Sequence, residues 1–320
     1  MRVLVVTSMY PSESRPGLGV FVRDQVEALR AIDDLDVELF AFEPGGAGRF
    51  ARAARDLRRA HGKSRFDLVH AHYGLTAWTA LALGRRAPLV VTFHGTDLTH
   101  RLVGPLSRVV ARLVDFPAPV SASLARLPGA GLPGAGATMA APVLPCGVNL
   151  DRFAPRDRGA ARTRLGLDPG GRYLLLPADP ARPEKRHDRA REIATAAGAE
   201  LLTYGAVASA DVPDMINAAN AVLAPSEREG FGLAPLEALA CDVPVLSTDV
   251  GIAPLALRGI RGALAAPYER EAWLAAVRPH LDDPDPRVAG RARAALFDRN
   301  RMAERVFQAY REIARDGAAA

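Results

Sequence analysis

Short β-branched apolar runs alternate with amphipathic stretches along almost the whole chain. The runs are VLVVTS (3 to 8), VELFAF (37 to 42), DLVHAH (67 to 72), PLVVTF (88 to 93), APVS (118 to 121), YLLLPA (173 to 178), AELLTY (199 to 204), AVLAPS (221 to 226) and PVLSTD (244 to 249). Most are apolar throughout instead of alternating, which predicts parallel strands covered on both faces. Between them lie the helical patterns GVFVRDQVEALRAI, RFARAARDLRRA, LTAWTALALG, EKRHDRAREIATAA, VPDMINAAN, PLEALA and EREAWLAAVRPHL. This β-α alternation predicts a doubly wound α/β architecture, and it occurs twice.

The two halves are separated by LPGAGLPGAGATMAAP (127 to 142), which is rich in Gly, Pro and Ala and has no period, so it is expected to be a loop. With 320 residues there is enough chain for two domains, each with its own core. The expected division is 1–144 and 145–300, and the last helical pattern, within 301–316, is expected to dock back on the first domain. Open α/β sheets bind ligands beyond the carboxyl ends of their strands, so functional residues should sit just after strands.

Composition narrows the function classes. The formal charge is +5, but cations are scattered among nearly as many acids and aromatics are few, so no nucleic-acid stripe is visible. Cys146 and Cys241 are far apart and lack zinc or C-x-x-C spacing, which reads as two small buried residues in a reducing, cytoplasmic setting. The first apolar run is too short for a signal-peptide core or a membrane span. Of 41 cationic residues only Lys63 and Lys185 are lysines, an imbalance that suggests GC-rich coding and draws attention to each lysine that remains. RFARAARDLRRA sets Arg49, Arg52, Arg55 and Arg59 against Phe50, Ala53, Ala54 and Leu57. A basic amphipathic helix of this kind can lie on an anionic membrane, although a solvated face is the plainer reading.

Candidate chemistry gathers after the strands. In EREGFGLAPLEALA (227 to 240) a Gly-containing turn follows a strand, and a helix starts near Pro235, in the favoured first-turn position. Free backbone N–H groups and the helix dipole make such a turn an anion site, and Gly230 and Gly232 permit close approach. Glu229 and Glu237 flank the turn as an acid–base pair, a metal site or two hydroxyl clamps. Vicinal hydroxyls suit a carboxylate, and no nearby Asp or His completes a metal set. Gly17 and Gly19 form a G-x-G without the third glycine of the dinucleotide fingerprint. His94 ends a strand; its ordinary titration range invites a general-base role, but polar positioning is preferred. Asp97 is expected to hold this loop by an Asx turn. His70 and His72 fall on one face of a strand with no evident third metal ligand, and are expected to line the strand end. The Asp-x-Asp in DDLD (33 to 36) precedes a strand and is rejected as a metal motif.

Taken together, Glu-x₇-Glu around Gly-Phe-Gly, EALACDVPVLSTDVG, FDLVHAHYG, VVTFHGTDL, VLPCGVNLDRF, PARPEKRHD and NAANAVLAPSEREGFG resemble, in order, the retaining family 4 glycosyltransferases of GT-B fold. The resemblance implies two Rossmann-like doubly wound domains facing across a cleft. It implies transfer of a hexosyl group from a nucleotide sugar, with UDP-hexose the first choice by family frequency, to a hydroxyl acceptor, without metal or other cofactor. By position, Glu237 would clamp the ribose and Glu229 the transferred sugar, while the turn of Gly230, Phe231, Gly232 and Leu233 would face the distal phosphate. Lys185 falls where the family has its diphosphate lysine. Pro180 stands where an arginine is frequent, so Arg182 is expected to replace it. Gly17 and Gly19 would face the donor phosphates, and His94 the primary hydroxyl of the sugar. Relatives acting on lipid-linked acceptors use a basic surface in the first domain, so the resemblance implies a peripheral membrane contact for the Arg49–Arg59 helix. The stretch between LLTYG and VPDMINAAN is short, so the second sheet is expected to lack a unit, and Asn220 replaces a frequent aspartate. A non-catalytic subunit binding nucleotide sugar or glycan is the competing class.

Overall fold

A computed structural model describes residues 1–126, 143–205 and 207–319, and its strands fall into two sheets. The first contains β1 (Arg2–Thr7), β2 (Asp36–Ala41), β3 (Leu68–His72), β4 (Leu89–Phe93) and β5 (Phe116–Pro119), in the order β2-β1-β3-β4-β5. The second contains β6 (Tyr173–Leu176), β7 (Glu200–Thr203), β8 (Ala221–Ala224), β9 (Val245–Ser247) and β10 (Leu264–Ala265), in the order β10-β9-β8-β6-β7. Every pairing is parallel. Counted from its own first strand, each sheet reads 2-1-3-4-5, a doubly wound order whose switch point lies between the first and third strands.

The chain divides into two compact units, Met1–Gly147 with Arg299–Ala320, and Val148–Asp298. The last helix, Arg299–Ala319, belongs to the first unit. Its Ala303, Val306, Phe307, Tyr310 and Ile313 recur at helical spacing and enter the same core as Val3, Val5, Val22 and Val26. Gly147 marks where the chain leaves that unit: a Cβ there would lie 2.5 Å from Arg299 Cα, so only glycine fits. In the second unit Leu174, Leu176, Leu223 and Leu246 pack against Ile193, Trp273 and Val277.

Several expected boundaries shift for local reasons. β8 stops at Ala224, two residues early, because Pro225 has no N–H for the ladder. β5 lies at Phe116–Pro119 and not at 118 to 121; as an edge strand it tolerates its two prolines. Between β7 and the helix Val212–Ala218 the described residues hold one short 3₁₀ turn, Ser209–Asp211. The sheet nonetheless has five strands, because β10 adds a two-residue edge too short to give a sequence pattern. The loop expected at 127 to 142 lies outside the described residues.

Arginine performs structural work that the sequence did not announce. Buried Arg158 donates to the carbonyls of Asn217 and Pro286, and buried Arg162 donates to those of Ala218 and Pro169 and to Asn220 Oδ1. The rigid fork of the guanidinium suits this clamping of chain turns. Asn220 also accepts from Tyr173 N and donates to His280 O, so at this position an amide serves as a hub with both donor and acceptor ends.

Candidate active site

In the second unit the loops after β6 and β8 leave neighbouring strands at the switch point. After β6, Asp179 Oδ1 accepts from Ala181 N at 2.8 Å in an Asx turn, and a 3₁₀ turn covers Pro183–Lys185. Arg186 follows with φ 53°, a left-handed conformation that is strained for a side chain of this size. Ion pairs to Asp188 at 2.5 Å and Glu227 at 2.7 Å hold it there. Glu227 N also donates to Glu184 O at 2.9 Å, stitching the two loops together. The consequence is a short ion pair between them: Lys185 Nζ lies 2.6 Å from Glu229 Oε1, which also accepts from Ser226 Oγ at 2.8 Å. Both charged side chains are largely shielded, at 17% and 19% exposure. Among the described residues no hydrogen bond reaches Glu229 Oε2.

Glycines let the loop fold around Glu229. Gly232 has φ 82°, and a Cβ on it would meet Glu229 Cγ at 3.3 Å. Gly251, which the sequence reading did not single out, is tighter: with φ 59°, its Cβ would lie 2.4 Å from Phe231 O and 2.9 Å from Glu229 Cβ. Its requirement comes from a segment twenty residues away in the chain, so no local pattern reveals it. Phe231 is buried, and its carbonyl accepts from Ile252 N at 2.7 Å. Gly230 belongs to the same turn, and Leu233 leads into the helix Ala234–Ala240 with Pro235 in its first turn. Glu237 is partly buried on that helix, and its charge acts on Tyr204 and Cys241. Burial first and the Glu237 charge second push the Cys241 thiol up to about 12 and the Tyr204 hydroxyl well above its usual range.

Arg182 is not drawn into the pair. Its guanidinium bonds Glu184 Oε1 at 2.6 and 2.9 Å and its side chain is half exposed, so the expected second cation stands beside the site with an acid of its own.

In the first unit the residues after β4 form a locked loop. Asp97 is wholly buried and accepts from His94 N, Gly95 N and Gly74 N at about 3 Å. The carboxylate therefore reaches back along the chain and across to the start of the helix Gly74–Ala80, which precedes β4, instead of forming the expected forward Asx turn. Burial raises its pKa to about 6, against the lowering effect of those amides. Gly19 is required by its surroundings: it caps the helix Val20–Arg30 at φ 64°, and a Cβ would lie 2.2 Å from Met9 O. Gly17 is exposed, and a Cβ placed on it would meet nothing within 4 Å, so sterics alone do not select glycine there.

His70 and His72 share a face, as the period of a strand dictates, but neither lines a surface. Both are buried. His70 bonds Tyr310 Oη through Nδ1 and Thr92 Oγ1 through Nε2, tying β3 to the last helix. His72 Nδ1 meets His94 Nε2 at 3.2 Å, while His72 Nε2 is buried without a partner. A bare acceptor is cheaper to bury than an unpaired N–H. This favours a His72 that carries its proton on Nδ1 and donates to His94 Nε2, which leaves the His94 proton on Nδ1 as a donor. Burial holds His94 down at about 3, so it is neutral near pH 7 and a weak base, contrary to the titration expected from its ordinary value.

The helix Ala47–His61 buries Ala53 and Leu57, and Phe50 packs edge-on against Phe42. Its outer face is left to Arg52, Arg55, Asp56 and Arg59, with no large exposed apolar residue to anchor it in lipid. Among the described residues no cluster of three His, Cys, Asp or Glu could hold a metal, and no helix is long and apolar enough to cross a membrane.

Two parallel sheets of one order have the architecture of GT-B glycosyltransferases. The chain is similar to sucrose-phosphate synthase from Thermosynechococcus elongatus, with TM-score 0.71 and 20% identity over 100% of this chain and 99% of that one. It is likewise similar to Anabaena HepE in complex with UDP-glucose, with TM-score 0.68 and 16% identity over 98% and 100% of the two chains. Residues 2–152 match the family described as Glycosyltransferase Family 4, and residues 183–296 match Glycosyl transferases group 1. The chain belongs to this family of glycosyltransferases. Among its relatives is the D-inositol 3-phosphate glycosyltransferase of Segniliparus rotundus, 29% identical over 81% of this chain and 69% of the relative. Another, of the same description, is from Kineococcus radiotolerans, 29% identical over 90% and 79%.

Proposed function

We propose that this glycosyltransferase moves a hexosyl group from a nucleotide sugar, UDP-hexose in the first instance, to a hydroxyl acceptor with retention of configuration. The observation that carries the reading is the shielded Lys185–Glu229 pair at the second switch point, beside a glycine turn that opens a helix. A diphosphate brought to this pair competes with Glu229 for the ammonium, and Glu229, released from it, accepts hydroxyls of the sugar. Glu237 clamps the ribose. The amides of Phe231, Gly232 and Leu233 meet the distal phosphate, and Gly17 and Gly19 are assigned to the donor phosphates as well. Arg182 turns from Glu184 to the diphosphate. His94 donates its Nδ1 proton to the primary hydroxyl of the sugar.

In the reaction the bond from the anomeric carbon to the diphosphate oxygen breaks. The bond to the acceptor oxygen forms on the same face, and the acceptor proton passes to a diphosphate oxygen. The charge that develops on the leaving group is met by Lys185, Arg182 and the turn amides, the electrostatic work that dominates such transfers. No metal is assigned to this work, so chelation is expected to leave the rate unchanged. Support for the donor class comes from the UDP-glucose complex of a protein of the same fold, and support for a polyol acceptor from the named relatives.

A thermal-shift screen of nucleotide sugars tests the donor, because a ligand stabilises by an amount set by its concentration over its dissociation constant. Slow nucleotide release from the stabilising donor separates a transferase from a subunit that only binds. Stabilisation by none of the nucleotide sugars would count against the reading.

A further inference from the structure

Seven large apolar side chains are exposed among the described residues, and five of them lie together on the first unit: Trp78, Leu102, Leu106, Val109 and Leu113. The last four follow the i, i+4, i+7, i+11 spacing along the helix Val103–Val110 and its flanking turns, so they share one face. The opposite face, with Gly104, Ser107, Val110 and Val114, is buried. Trp78 Nε1 donates to Leu106 O at 3.3 Å, which sets the indole beside the stripe. A surface helix ordinarily turns polar residues outward, and a contiguous exposed apolar patch marks an interaction surface.

Charge identifies the occupant. Arg101 and Arg112 are exposed at the two ends of the stripe, and Arg85 and Arg86 lie on the exposed turn before β4. From Tyr73 to Val114 the one carboxylate is Asp97, and it is wholly buried; the next acid, Asp115, is paired with Arg85 at 3.0 Å. A second copy docked face to face about a two-fold axis would set arginine against arginine with no exposed acid from this segment to relieve it. An anionic bilayer offers both an apolar boundary for the leucines and phosphates for the guanidinium groups, and the interface is where tryptophan resides.

We propose that the Leu102–Leu113 face of the first unit docks on an anionic lipid bilayer. Leu102, Leu106, Val109 and Leu113 enter the boundary between headgroups and acyl chains, Trp78 lies at its edge, and Arg101 and Arg112 bind lipid phosphates. Membrane contact is thereby assigned to a different helix from the arginine-rich Ala47–His61, which lacks an apolar anchor.

The test uses the full chain and needs no sugar donor, so its outcome is independent of the transfer reading. Sedimentation with mixed phosphatidylcholine–phosphatidylglycerol vesicles should show partitioning that weakens with salt, and pure phosphatidylcholine should bind far less. The double variant Leu106→Asp, Val109→Asp, at two exposed positions, should lower partitioning by about tenfold or more with an unchanged melting temperature. Arg101→Gln with Arg112→Gln should lower it by about tenfold on anionic vesicles alone, whereas Arg52→Gln with Arg55→Gln should stay within about twofold. The proposal is overturned by the absence of partitioning at low salt, or by partitioning that ignores Leu106 and Val109 and follows Arg52 and Arg55. It is equally overturned by a solution dimer that Leu106→Asp dissociates, which would give the face to a second copy.

Discussion

The two units share one strand order but differ in the chemistry they mount on it. At the second switch point the loops meet in a lysine–carboxylate pair surrounded by further ion pairs. In the first unit, the loop after β4 carries a neutral histidine held by another histidine, and its one carboxylate is turned inward to bond amides. The comparison teaches that topology fixes where a ligand meets the strands, while residue type decides whether the place handles charge or hydroxyls. A departing diphosphate needs the first kind of surface, and a sugar hydroxyl the second.

The largest difference between the units should appear on removal of the charge centre. Lys185→Ala takes away the cation and leaves Glu229 without its ion-pair partner, and turnover should fall by about 10²- to 10³-fold, or roughly 3–4 kcal/mol. Arg182→Ala, which removes a half-exposed group already bound to Glu184, should cost no more than about tenfold by the same measure, so steady-state rates of the two variants sharpen the contrast. Equal losses would contradict the ranking.

Acid should break the first unit before the second. Burial lowers His70 and His94 to about 3 and His72 well below its ordinary value, whereas it raises Asp97 to about 6. Near pH 5 the unfolded chain therefore binds three more protons at the histidines and one fewer at Asp97, a net of two. Stability should fall as pH drops below about 6.5, by ~1.4 kcal/mol per pH unit for each proton, with Asp97 opposing the fall between its ordinary range and about 6. Urea unfolding followed through Trp78, with Trp273→Phe removing the second unit's reporter, measures it. A flat profile from pH 7 to 5 would show that these histidines are not buried as neutral rings.

Next in size are the glycines. Gly19→Ala forces a left-handed side chain against Met9 O and should cost roughly 1–3 kcal/mol in denaturation, while Gly17→Ala should stay within about 0.5 kcal/mol. The smallest expected effect is at His72. Asn can present an N–H near the position of Nδ1, so His72→Asn should keep His94 protonated on Nδ1, and His72→Leu should release that preference. Histidine ¹⁵N shifts report the tautomer directly, and an Nε2-protonated His94 in the wild-type protein would reverse the assignment.

The doubly wound units and the turn at Glu229 were legible because each rests on local pattern: apolar runs, a 3.6-residue period, glycines after a strand. What sequence could not carry was contact between distant segments. Neither the 2.6 Å approach of Lys185 to Glu229 nor the pressure of Gly251 on Phe231 has a local signature, and the first depends on β6 and β8 being neighbours. Burial was misjudged for the same reason. His70 and His72 looked like strand-end residues until Tyr310, from the end of the chain, closed over His70. The exposed stripe beginning at Leu102 was hidden because its helical period does not say which face is buried: the inward face carries Gly104 and Ser107 beside Val110, and the outward one Leu106 and Val109.

Everything in the proposed transfer turns on Lys185 and Glu229 acting together on a nucleotide-sugar donor. The most direct test is the rate of nucleotide release from the donor that most stabilises the protein, compared for the wild type, Lys185→Ala and Glu229→Gln. The wild type should release nucleotide slowly, Lys185→Ala should lose about 10²-fold or more, and Glu229→Gln should also be impaired. Full turnover in both variants would contradict it.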